Sequence, residues 1–134
     1  PEPLQSDPTT QTALFDGILE SLKTDVAALA SDSRVVAAAK TNAKVVKYLR
    51  EVDRLGALVA QDELCSLRRL LGRPGIGAAE GHAELLKRLH PQTLAFPAVL
   101  QFFADVAARQ AQLAAMSSGG LATRRLPPLE SLDA

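Results

Sequence analysis

The sequence predicts an all-α fold, an antiparallel bundle of four main helices with flexible, proline-containing termini, and three observations predict it. The first is composition. In 134 residues the apolar fraction is 47% but aromatics are only 4%, with four Phe, one Tyr and no Trp. Ala, Leu and Val must therefore fill the interior, which suits close-packed helices better than sheets. The second is the recurrence of apolar residues at spacings of three and four through most of the chain. The third is the placement of proline and glycine, which cluster between the periodic segments. A chain of this length forms one domain and buries about two-thirds of the surface its unfolded form exposes, so its core needs no disulfide or metal.

Residues 1–8, PEPLQSDP, hold three prolines and no period, and are expected to be an extended or disordered lead-in. The bundle domain spans 9–120. Its first helix starts near Thr9 or Thr10, with Leu14, Ile18, Leu22, Val26 and Leu29 as the apolar stripe and Asp16, Glu20 and Lys23 towards solvent. It ends near Ala30, where Ser31-Asp32-Ser33 supplies a break and a fresh N-cap.

The second helix is expected from Arg34 to at least Asp53, a stretch without Gly or Pro. Val35, Ala39, Val46 and Leu49 share one side at roughly 100° per residue, and Lys40, Lys44, Lys47, Glu51 and Arg54 occupy the other. Gly56 either bends or ends this helix, because glycine weakens a helix interior by about 1 kcal/mol relative to Ala. The pattern resumes through Leu64, Leu67 and Leu71 and stops at LLGRPG, with Gly72 as C-cap and Pro74 barring continuation.

After the loop 73–78 a short helix is expected at about Ala79–Leu89, burying Leu85, Leu86 and Leu89 and ending before His90-Pro91. A last helix at about Phe96–Met116 carries Pro97 in its first turn and the stripe Val99, Leu100, Phe103, Val106, Ala107 and Leu113. The segment 121–134, LATRRLPPLESLDA, reads as an arm or disordered tail whose Leu121, Leu126, Leu129 and Leu132 need a surface to dock on.

Fifteen Lys and Arg balance fifteen Asp and Glu, which argues against nucleic acid as a partner, since a dedicated binder carries a basic excess. No apolar run reaches the roughly 18–20 residues of a membrane span, and no leader pattern is read, so a cytoplasmic location without membrane association is expected. The single cysteine, Cys65, excludes an intramolecular disulfide and a multi-cysteine zinc site, and beside the Leu stripe it reads as a small buried hydrophobe. His82 and His90 are eight apart, too loose for a chelating pair. No HExxH, CxxC or GxSxG occurs, and the glycines at 72, 75, 77 and 81 follow a helix instead of a strand. No catalytic residue, metal or cofactor is therefore assigned.

Two polar groupings on the second helix remain. Lys40, Lys44, Lys47 and Arg54 form a basic stripe that either meets an acidic partner or phosphate, or is a solvated face partly neutralised by Glu51. Asn42 and Asp53 fall in the centre of the predicted apolar arc and Arg50 at its edge, where unpartnered polar groups cost free energy. They are candidate ligand or interface residues, or else members of a buried network reaching to Asp25 of the first helix.

Residues 34–72, RVVAAAKTNAKVVKYLREVDRLGALVAQDELCSLRRLLG, resemble a family of short bacterial all-helical proteins without an assigned activity. The resemblance lies in the Arg-initiated Val/Ala helix, Asn42, Arg50-Glu51, Gly56, Glu63 and the closing Leu70-Leu71-Gly72. It continues through AELLKRL and the last helix, although the family's usual Lys/Arg-Leu-Ala-Asn-Pro-like ending is absent here. Members are often encoded beside phosphotransferase-like kinases and acyl-CoA dehydrogenases, so the resemblance implies an accessory protein in acyl-CoA metabolism.

The expected function is accordingly non-enzymatic: a homo-oligomer or the small subunit of a larger complex. The alternative is a module that binds an acyl or other apolar ligand between its helices. Far-UV circular dichroism checks the fold directly, and a helical content above about half of the chain is expected.

Overall fold

The computed structural model of the chain describes residues 1–90 and 93–118, so the tail from 121, with its four leucines, lies outside the described residues. The protein is all-helical, with 78% of the described residues in helix, no strand among them, and four helices packing against one another. Helix α1 spans Thr12–Ser21 and runs on into a π-helical stretch, Leu22–Ala27. Helix α2 spans Ser33–Leu71, α3 spans Ala78–Leu89 and α4 spans Phe96–Ser118.

Local chemistry sets these boundaries. Asp32 caps α2, its carboxylate accepting from the Arg34 amide at 2.8 Å. The helix then passes through Gly56 without interruption for 39 residues. It stops at Gly72, whose φ of 67° is the left-handed conformation that glycine adopts without a Cβ penalty. The Arg73 amide closes this end by donating to the Arg68 carbonyl at 3.0 Å. Arg88 of α3 adds a side-chain cap, donating Nη1 to the Leu71 carbonyl at 3.2 Å and Nε to Glu84 at 2.8 Å. That second bond holds the Glu84 carboxyl below the usual carboxylate range.

Helix α2 is the spine. α1 and its π-helical extension, α3 and α4 each pack on α2, and among the described residues they make no close backbone contacts with one another across helices. Along α1 and α4 the paired residue numbers run in opposite senses to α2. Asp16 meets Arg50 while Leu22 and Ala27 lie by Ala39 and Ala43. Phe102 packs with Leu67 and Leu71, Arg109 reaches Asp62, and Leu113 sits on Leu55 and Val59. α3 covers the C-terminal end of α2, with Leu85 on Leu67 and Leu71 and His82 at Glu63.

The interior is divided. One cluster joins Leu67, Leu71, Ile76, Leu85 and Phe102, with Leu70, Leu89, Leu94 and Val106 against its edge. A second joins Leu55, Val59 and Leu113, and is closed by Val52 and by Leu4 of the N-terminal segment. Residues 1–8, expected as a lead-in, contain no helix but lie against the bundle, as the bonds described below show.

Several side chains depart from their expected places. In α1 the half-buried line is Phe15, Leu19, Leu22 and Val26, while Leu14, Ile18 and Leu29 are exposed. Two overlapping stripes were available, and the aromatic one turns inward. The π-helical stretch ends at Ala27, and Leu29 falls in the turn beyond it, where it is exposed. In α2, Val35 and Leu49 are exposed and Glu51 is buried. In α3, Leu86 is exposed; in α4, Phe102 enters the core while Leu100 and Phe103 stay outside. Cys65 is exposed, not buried, because α2 turns its Leu67 and Leu71 side to the core instead.

Gly81 marks the tightest approach of α3 to α2: a Cβ there would stand 2.7 Å from Leu67 Cδ2 and 3.2 Å from its Cγ. Leu67 is 0% exposed, so its side chain can yield only by pressing on the core around it. Glycine in a helix interior normally costs about 1 kcal/mol relative to Ala, but overpacking costs about 1–3 kcal/mol. Gly81→Ala is therefore expected to lower unfolding free energy by about 1 kcal/mol. Gly17→Ala, at an exposed site in α1 with nothing within 4 Å, should raise it by up to about 1 kcal/mol. Urea denaturation of the two variants checks both signs.

Candidate functional site

The polar residues predicted on α2 have three different fates. Asn42 is exposed, and so does not sit in the interior arc where the wheel placed it. Arg50 is 20% exposed and donates Nη1 to Asp16 of α1 at 2.6 Å, so its partner in the first helix is Asp16; Asp25 accepts from Thr24 at 3.2 Å. Asp53 is half-buried and accepts from the hydroxyl of Thr9. The structure thus joins Arg50 and Asp53 to the segment that carries α1 and leaves Asn42 apart.

The basic stripe also divides. Lys40 and Lys44 are exposed, Lys47 is half-buried, and Arg54 turns inward. Arg54 donates Nη2 to Glu51 at 2.7 Å and Nη1 to the Ser6 carbonyl at 3.0 Å. Glu51, expected on the solvated side, is only 6% exposed and also lies 3.9 Å from Arg50 Nε. A carboxylate is tolerated at that depth because two guanidinium groups face it.

A second polar joint, which the sequence reading missed, lies on α4. Arg109 is 7% exposed, donates Nε to Asp62 of α2 at 2.7 Å, and donates Nη1 to the Glu2 carbonyl. Gln112 receives the Leu4 amide at 3.1 Å and returns its own Nε2 to the Leu4 carbonyl at 2.6 Å. The N-terminal segment is thereby bonded to α2 through Thr9 and Ser6 and to α4 through Leu4 and Glu2. The signal in the sequence was Arg109 itself, an ion in an otherwise Ala-rich helix, one turn from Leu113. Among the described residues every deeply buried side-chain nitrogen and oxygen has a partner. This cluster is a satisfied structural network that fastens segments together.

Clefts between the helices are modest, and one lies beside α3 and α4, about 370 Å³, lined by Arg88, Leu89, Leu94, Phe96 and Val99. The one between α1 and α2 has a volume of about 180 Å³, lined by Leu19, Leu22, Lys23, Ala27, Ala39, Lys40 and Ala43. The one between α2 and α4 has about 290 Å³, with Ser66, Arg69, Leu70, Gln101, Phe102 and Asp105 among its walls. None of these three is lined by Asn42, Arg50 or Asp53. Pockets for drug-sized ligands run to about 300–1,000 Å³. His82 Nε2 stands 2.9 Å from Glu63 on the surface. Among the described residues, no three His, Cys, Asp or Glu side chains gather where they could hold a metal ion. No helix of the described residues is long and apolar enough to cross a membrane.

Comparison with known proteins found no matching family model, no matching curated protein and no matching solved structure. Nothing in these comparisons bears on the family resemblance read from residues 34–72.

Removing the Glu51 carboxylate strands Arg54 and loosens Arg50 at a junction of α1, α2 and the N-terminal segment. Glu51→Ala is expected to cost about 2 kcal/mol, reduced from the full buried-pair value because Arg54 keeps some access to water. Asn42→Ala should stay within about 0.5 kcal/mol of the parent. Chemical denaturation of the pair, read at one pH and salt, distinguishes the two positions.

Proposed function

We propose that this protein acts through contact with another protein chain, as a homo-oligomer or as the small subunit of a larger complex, and not through chemistry of its own. The observation that supports this reading is the balance of its apolar side chains. Thirteen large hydrophobic residues are exposed among the described residues, against ten hydrophobic residues in the core. Scattered exposed leucines are ordinary on a soluble protein. Here, however, α1 contributes Leu14 and Ile18 at helical spacing, α2 contributes Val45, Tyr48 and Leu49, and α4 contributes Phe96, Leu100 and Phe103. Grouped exposure on helix faces is the feature that contact with a partner relieves.

The ligand-binding reading draws less support, because Arg50 and Asp53, which were to orient a ligand, bind the protein's own segments, Asn42 is exposed, and none of the three lines the clefts between helices. The resemblance of residues 34–72 adds a setting for the partner, acyl-CoA metabolism.

Native mass spectrometry of the protein purified from its own host is the test. A stoichiometric protein complex or a homo-oligomer is expected; a monomer carrying a small molecule would favour the ligand reading instead. Ile18→Glu and Leu49→Glu, both on exposed positions, should leave stability within about 0.5 kcal/mol of the parent. If either face is used, the corresponding variant loses the complex in the same measurement.

A further inference from the structure

Resting on that reading, we infer that the outward face of α4 pairs with the same face of a second copy of this chain, the two helices running antiparallel. The face is defined by what it lacks. α4 contains two charged residues, Asp105 and Arg109, and neither is exposed: Arg109 is buried against Asp62, and Asp105 is half-buried, accepting from Gln101 at 2.8 Å. Every exposed residue of this 23-residue helix is uncharged, although 22% of the chain is charged. A helix that meets only water normally carries its charges on that side.

Within the uncharged face, Phe96, Leu100 and Phe103 are 75%, 57% and 47% exposed. With Ala107 they follow spacings of four, three and four, and share an arc of about 60° on a helix. That is the seam of a helix pair. Ala104 and Ala111 beside it let a second backbone come close.

Two properties of this seam select a second copy as the occupant. First, a two-fold interface sets each patch against itself, so any charge on it meets its like. α4 brings none to this face, and Arg88 of α3, which lines the cleft beside Phe96, is paired with Glu84, whereas the outward side of α2 carries Lys40 and Lys44. Second, the seam is complementary to its own reverse. In an antiparallel register Leu100 faces Phe103 of the other copy, and Phe96 faces Ala107, so large residues meet small ones at both ends. The contact is modest: α4 is roughly 35 Å long, and one helix face covers less than the roughly 800 Å² per partner of tight complexes. Association should accordingly depend on concentration.

Sedimentation equilibrium of the full chain over a hundredfold range of concentration tests this. A reversible monomer–dimer equilibrium is expected. L100K and F103E should each weaken it by about a hundredfold or more, because each would bury an unpaired charge, with circular dichroism unchanged and the melting midpoint unchanged at concentrations where the parent is monomeric. The L100K/F103E double variant should recover dimerisation, since the antiparallel register sets each new charge against its opposite. In a parallel register like charges would meet, so a double variant that stays monomeric overturns the inferred pairing. A dimer insensitive to both single changes places the contact elsewhere and overturns it too. A monomeric wild type whose host partner is lost in F103E refutes self-pairing while leaving contact with another chain intact. A monomeric wild type with no partner refutes both.

Discussion

Helix α2, at 39 residues, is roughly 58 Å long, and no helix packed on it covers that length. Since the close backbone contacts of α1, α3 and α4 are all with α2, and α3 and α4 meet only through side chains at its C-terminal end, the interior consists of successive contacts along one rod. The constraint this imposes is rotational. Ala39 and Ala43 turn towards α1, Leu55 and Val59 towards α4, and Leu67 and Leu71 towards both α3 and α4. A helix serving three partners on different sides cannot carry a single apolar stripe, and its polar residues are placed where two contact zones meet.

The junction of those zones explains Glu51. At this level the side of α2 facing α1 gives way to the side facing α4, and the N-terminal segment fills the angle between them. Arg50 and Arg54 reach out to either side, to Asp16 and to the Ser6 carbonyl, and Glu51 beneath them balances their charge. Arg109 and Gln112 repeat the arrangement from α4, bonding main-chain groups of the same segment. A segment with three prolines has few amides to pair and forms no helix. Side chains from the bundle satisfy its main chain instead, and Leu4 adds an apolar anchor beside Leu55 and Leu113. The order of residues 1–8 thus comes from long-range bonds that its own composition gave no reason to expect.

What was legible in the sequence follows from the same geometry. Helices, breaks and caps are set by neighbours in the chain, so Asp32, Gly72 and the start of α4 at Phe96 could be read directly. Which side of each helix faces inward is set by partners far away, and there the reading slipped by one position: Leu14 and Ile18 for Phe15 and Leu19, Phe103 for Phe102. A wheel drawn for α2 averaged three facing directions into one arc, which put Asn42 inside and Glu51 outside. Its useful residue was the notice that polar groups intrude on the apolar side. Arg50 and Asp53 do hold α1 and its approach, although their partners, Asp16 and Thr9, carry no local signal of that role.

A rod with three shorter partners also leaves large apolar side chains exposed among the described residues. Ala, the residue that lets helices approach closely, buries little area when it does so, and with only five aromatic residues the chain has few large groups to compensate. Of its four Phe, Phe102 is in the core and Phe15 is half-buried, while Phe96 and Phe103 lie outside on α4. Two of the four Phe rings therefore lie on a helix face to which α4 brings no charge. An interior this economical could have used those rings on the α1 side, where Ala39 and Ala43 leave a cleft between helices. Their location on the outside of α4 is difficult to account for by the stability of the isolated chain, and is accounted for if the folding unit of this protein includes what α4 touches.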